Sequence, residues 1–112
     1  MHGLPPNLDV NFFHGKKLET IQLNSHSVIL ILEGAIEIAI FCPFTFNGQL
    51  VSLMESGSLD RLLDAKVISA RTDSELGNLQ LVFERENYLV LHDSEREYES
   101  YTFNTPIGLV VV

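Results

Sequence analysis

Two stretches of this chain alternate apolar and polar residues in the same order and the same register. Val28, Leu30, Leu32, Ile38 and Ile40 each have an apolar counterpart 51 residues later, at Leu79, Leu81, Phe83, Leu89 and Leu91. A period of two places every second side chain on one face of an extended strand, so each stretch reads as strands with one face turned to a core. The glutamate after the central strand recurs as Glu33 and Glu84, and each half closes on an aromatic triplet, Phe44-Thr45-Phe46 and Tyr101-Thr102-Phe103. In the first half, strands are predicted over residues 18–23, 28–32 and 36–40, joined by Asn24-Ser25-His26-Ser27 and Glu33-Gly34-Ala35, which are turn-forming in composition. The second half repeats the plan with strands over 67–70, 79–83 and 88–91.

A three-stranded meander cannot hide its apolar face alone. The expected fold is therefore mainly β: two pseudo-repeated antiparallel meanders packed as a sandwich or a curled sheet, in one domain spanning 1–112. The first half-repeat covers about 15–46 and the second about 66–103. Between them, Ser56-Gly57-Ser58-Leu59-Asp60-Arg61-Leu62-Leu63 reads as a short helix, about 58–64, with Ser56 or Ser58 as N-cap and Asp60 facing the helix dipole. Leu59, Leu62 and Leu63 fall on one helical face by three-and-four spacing and are expected to plug one end of the core. Residues 107–112 form a last apolar strand, expected to pair within the sheet or across a dimer interface.

Length and composition fit one core. A chain of 112 residues, 46% hydrophobic and 20% charged, is the size of a single domain and too apolar for disorder. Its 15 acidic and 7 basic side chains give a net charge of −8, which repels phosphate backbones and argues against nucleic acid as a ligand. The N-terminus lacks a basic region followed by an apolar run, and no apolar segment is long enough to cross a membrane as a helix, so a cytoplasmic location without membrane contact is expected. The single cysteine, Cys42, beside Pro43 and Phe44, reads as a buried thiol.

The residues signal no chemistry. His2, His14, His26 and His92 stand neither at metal-ligand spacing from one another nor beside a cysteine, so no metal is implied. There is no nucleophile elbow and no glycine-rich phosphate loop, and neither an enzyme nor a cofactor is expected.

Acidic residues instead mark two candidate binding surfaces. Asp93-Ser94-Glu95-Arg96-Glu97-Tyr98-Glu99-Ser100-Tyr101 holds four carboxylates and two tyrosines in nine positions. On an extended strand Glu95, Glu97 and Glu99 share one face and Tyr98 lies on the other. Tyrosine offers contact area at small entropic cost and carboxylates meet Arg or Lys, which suits a protein-binding surface; in the plainer alternative Tyr98 and Tyr101 are core anchors of a solvated loop. The second surface gathers Asp60, Asp64, Asp73 and Glu75 around the helix and the turn after it. Residues 55–112 carry 11 acidic and 5 basic side chains against 4 and 2 in residues 1–54, so an acidic binding face belongs to the second half.

The Gly15-Lys16-Lys17-Leu18 opening, the two meanders with a leucine-rich helix between them, and Tyr98-Glu99-Ser100-Tyr101 before the last strand resemble a family of small uncharacterised bacterial proteins with duplicated β halves. The resemblance spans about residues 12–112. Members of that family often continue past the last strand, and the family supplies no catalytic residues. In size, acidity and lack of chemistry the chain is also similar to bacterial toxin-immunity proteins of the contact-dependent growth inhibition type. That resemblance implies a protein that binds and neutralises a cognate basic toxin domain, such as a nuclease; from the acidic segment itself, Asp93, Glu95, Glu97, Tyr98 and Glu99 are the residues expected to make the contact. The alternative expectation is a structural or regulatory module that homo-oligomerises, with the C-terminal strand as a homodimer edge.

Overall fold

The computed structural model describes residues 8–52, 59–73, 75–93, 100–106 and 108–112. Among these residues ten strands form two five-stranded antiparallel sheets. β1 (Leu18–Leu23), β2 (Val28–Leu32) and β3 (Ile36–Ile40) make the first meander, and β4 (Phe44–Phe46) and β5 (Gln49–Val51) a short hairpin. β6 (Val67–Asp73), β7 (Asn78–Phe83) and β8 (Asn87–Leu91) make the second meander, and β9 (Tyr101–Thr105) and β10 (Gly108–Val111) its hairpin.

Each half lends its hairpin to the other. The sheet orders are β1-β2-β3-β9-β10 and β5-β4-β8-β7-β6. Thus β9 lies beside β3, with Ile38 opposite Phe103 and Ile40 opposite Tyr101, while β4 lies beside β8, with Phe46 opposite Leu89. The two sheets pack as a β sandwich. Inward residues at alternate positions make its core: Val28, Leu30 and Leu32 on β2, Leu79, Leu81 and Phe83 on β7, and the aromatics Phe44, Phe46, Tyr101 and Phe103 from the exchanged hairpins.

The duplication extends to single hydrogen bonds. Lys17 and Lys66 form an antiparallel bridge where the sheets meet. Around it the bonds occur in pairs: Gly15 N–H to Val67 O matches Asp64 N–H to Leu18 O, and Val67 N–H to Lys16 O matches Leu18 N–H to Ala65 O. The Glu33 carboxylate accepts from the Lys17 N–H at 2.7 Å, and the Glu84 carboxylate from the Lys66 N–H at 2.8 Å. The opening strands even share a register break, between Leu18 and Thr20 and between Val67 and Ser69.

Two sequence expectations change. The leucine-rich segment forms a 3-10 turn over 59–62 in place of a full helix. In that geometry residues three apart eclipse, so Leu59 and Leu62 are both buried, while Leu63 turns outward and is 37% exposed. Asp64 then leaves the helix at φ 67°, the left-handed conformation that Gly15 takes at the matching place in the first half. An unforeseen 3-10 turn at Asn11–Phe13 plugs the other half with Val10 and Phe13. The proposed N-caps Ser56 and Ser58 lie outside the described residues. The second change is the β4–β5 hairpin, closed by Asn47-Gly48 with both φ angles positive, at 52° and 85°.

Candidate functional site

The structure divides the predicted acidic residues between the two ends of the second sheet. β6 begins beside the 59–62 turn and runs seven residues to the β6–β7 turn. At about 3.3 Å per residue that separates its ends by roughly 20 Å. Asp60 and Asp64 are exposed at the starting end, and Asp73 and Glu75 are exposed at the far end. The single surface expected from these four residues is therefore two surfaces. Asp93 joins the far pair, since β8 runs antiparallel to β7 and delivers it beside the β6–β7 turn. Glu95, Glu97, Tyr98 and Glu99 lie outside the described residues.

The far end is held firmly by local chemistry. One Asp73 carboxylate oxygen accepts the backbone N–H groups of Glu75 and Leu76 at 3.1 and 3.2 Å, an Asx turn that bends the chain. Gly77 closes the turn, donating its N–H to Asp73 O at 2.7 Å. Its φ is 73°, and a Cβ there would stand 2.6 Å from the Asp93 Cβ, so only glycine lets Asp93 pack this closely.

Tyr101 ties this turn to the core. It is buried on β9, and its hydroxyl reaches across the sandwich to donate to Gly77 O at 2.7 Å. Burial, and secondarily the nearby Asp93 charge, push the phenol well above its usual range, so it stays a neutral donor. Of the two roles weighed for Tyr101, that of core anchor is the one its burial fits. Ser100, also buried, bonds the Asp93 carboxylate at 3.4 Å.

The opposite end differs. There the Arg61 guanidinium lies 5.2 Å from the Phe46 ring centroid, a cation–π contact, and Arg85 donates to Arg61 O at 3.4 Å. Asp60 and Asp64 thus flank Arg61 in the chain, at an end that also holds Arg85. At the matching place in the first half Phe12 replaces Arg61, and a cleft of about 300 Å³ opens, lined by Phe12, Lys16, Ile36, Asn104 and Pro106. The Asn104 side chain is already committed there, to Glu37 N–H at 2.6 Å and Ala35 O at 3.0 Å, as Asn47 is to Tyr88 N–H at 2.8 Å.

Among the described residues no group of three or more His, Cys, Asp or Glu side chains is arranged to hold a metal. Cys42 is a buried free thiol. His92 Nε2 lies 2.7 Å from the Thr45 hydroxyl, and no hydrogen bond from a described residue reaches the other ring nitrogen. No described helix is long and apolar enough to cross a membrane. No protein-family model matches the chain, and comparison with curated proteins and with solved structures finds no match.

Proposed function

We propose that the protein is a small acidic binding partner of the immunity or inhibitor class, which docks on a basic protein domain through the far end of its second sheet. The observation that carries this reading is the braced turn at that end, where Asp73, Glu75 and Asp93 converge around Gly77 and Tyr101 fixes the turn to the core. Carboxylates held on a rigid support lose little entropy when they meet Arg or Lys, and a net charge of −8 speeds encounter with a cation. The chain continues from Asp93 into Glu95, Glu97 and Glu99, which extend the same charge along the sequence, with Tyr98 among them. The likeness to small bacterial proteins with duplicated β halves belongs to this reading, as do a cytoplasmic location for this protein and a cognate toxin domain as its partner.

The test is a pull-down with the C-terminal domain of the protein encoded immediately upstream, followed by calorimetry at two salt concentrations. Binding that weakens with salt and falls at least tenfold in Glu75→Lys and in the Glu95→Lys/Glu97→Lys/Glu99→Lys triple variant is expected. Asp60→Lys, at the opposite end, should leave affinity within twofold. Equal losses at both ends, or none at either, would refute the placement of the site.

A further inference from the structure

The two halves differ where a 3-10 turn meets the exchanged hairpin. In the second half arginines cross that place: Arg61 lies on the Phe46 ring, and Arg85 bonds Arg61 O. The alignment that pairs Lys17 with Lys66 and Glu33 with Glu84 puts Phe12 where Arg61 stands, Gly34 where Arg85 stands and Lys16 where Ala65 stands. The exchange removes two guanidinium side chains and adds one ammonium. The space left is the cleft of about 300 Å³ beside Phe12.

That cleft continues into a second one of about 250 Å³, which shares its Phe12, Thr105 and Pro106 walls and ends at Leu8 and Asp9. The resulting furrow has two unlike ends. At one, the Lys16 ammonium lies 3.9 Å from where a Gly34 Cβ would stand, so the bare glycine gives it room over the β2–β3 turn. Lys16 is half-buried, and among the described residues no hydrogen bond or ion pair engages its ammonium. At the other end the walls are Leu8, Phe12 and Pro106, and the exposed Asp9 carboxylate accepts the Asn11 N–H at 2.9 Å. The polar side chains between the ends are already engaged, Asn104 with Glu37 N–H and Ala35 O, and Thr105 with Gly108 O at 2.7 Å. A ligand therefore meets an apolar bed with a cation at one end.

We propose that this furrow binds a small monocarboxylate with an apolar body, the size of one aromatic ring on a short alkyl chain. Its carboxylate meets Lys16, and its body lies against Phe12, Ile36 and Pro106. The volume stands at the lower end of those that hold small ligands, which sets the size. Charge sets the class. One ammonium offsets one negative charge, while Asp9 and a net charge of −8 penalise a second, so a dicarboxylate or a phosphate ester fits less well. Half-buried Lys16 is screened by salt less than exposed Asp9, so the furrow selects an anionic head over a cationic one. Asp9 also fixes the direction, because a carboxylate at the Leu8 end would face it. None of these residues belongs to the acidic turn, and either proposal stands or falls without the other.

Amide NMR titrations of the full chain test it, with phenylbutyrate, phenylbutanol and phenylbutylamine, which share one body and carry negative, neutral and positive heads. Phenylbutyrate should shift the amides of Phe12, Gly34, Ile36 and Asn104 saturably and bind about fivefold more tightly than the alcohol or the amine. Lys16→Met keeps an unbranched stem and should bring the acid to the alcohol's affinity, leaving the alcohol within twofold. Phe12→Ala removes an apolar wall and spares the cation, so acid and alcohol should weaken alike, at least threefold. Glu75→Lys should bind phenylbutyrate as the wild type does, and the spectrum of each free variant checks its fold. Shifts that do not saturate, or that fall outside the furrow, would overturn the proposal. Equal affinities for the three heads would do so too, as would a folded Lys16→Met that still prefers the acid or a folded Phe12→Ala that binds undiminished.

Discussion

Phe44 and Tyr101 hold equivalent places, each the first residue of an exchanged hairpin and each fully buried, yet they differ by one hydroxyl. That oxygen belongs to the half carrying most of the charge. It grips the Gly77 carbonyl of a turn that bears Asp73 and Glu75 and packs against Asp93. The matching turn in the first half, Asn24 to Ser27, holds itself by its own Asn24–Ser27 bonds and carries no carboxylate. Duplication supplies the sandwich, and departures from it mark where the two halves have been put to different use.

The largest expected effect tests the shared part of the plan. Phe103→Ala and Phe46→Ala each remove a buried ring from an exchanged hairpin and should cost about 3–5 kcal/mol in urea denaturation. Phe103 should sit at the upper end, because it is fully buried and packs on Phe13, whereas Phe46 keeps 4% exposure under Arg61. If one variant is near neutral, the two hairpins are not equivalent supports.

A smaller effect is expected from the hydroxyl itself. Tyr101→Phe makes the second half resemble the first and leaves Gly77 O without this partner, at a cost of about 1–3 kcal/mol. The pH dependence has a definite sign. A phenol whose folded pKa lies above its unfolded value of about 10 contributes stability fully below that value and loses it as pH rises through the folded pKa. Melting temperature should therefore drop above pH 10 in the wild type, and less steeply in Tyr101→Phe. Parallel curves would remove Tyr101 from the account.

The smallest effect sharpens the symmetry. Glu33→Ala and Glu84→Ala each delete a carboxylate that accepts a lysine N–H beside the Lys17–Lys66 bridge. Each should cost about 1 kcal/mol by thermal melting, and the two values should agree within experimental error. A clear inequality would mean that the junction bears load unevenly.

How much of this was legible follows from what each signal encodes. Alternation records which face of a strand is apolar, and it placed β2, β3, β7 and β8 within a residue of their bounds. It does not record which strands are neighbours, so the exchange of hairpins was invisible. One clue was present: the aromatic triplets continue into Phe44-Thr45-Phe46-Asn47 and Tyr101-Thr102-Phe103-Asn104, and both asparagines bond the backbone of the other half's meander. The Asn47-Gly48 dipeptide likewise carries the positive φ pair of a tight hairpin. The acidic surface misled because Asp60, Asp64, Asp73 and Glu75 are close along the chain, while an extended strand between them carries the two pairs to opposite ends of a sheet.

The exchanged hairpins also set an order of events during synthesis. The edge of β3 is made early, but its partner β9 follows some sixty residues later. At roughly 5–20 residues per second, a ribosome leaves that apolar edge open for several seconds, while β1 to β3 have emerged with no strand to complete them. The second meander meets no such delay, since β4 is already waiting when β8 appears. The nascent chain therefore seals its second sheet before its first, and a chaperone that shields bare strand edges would be needed for the earlier half rather than the later one.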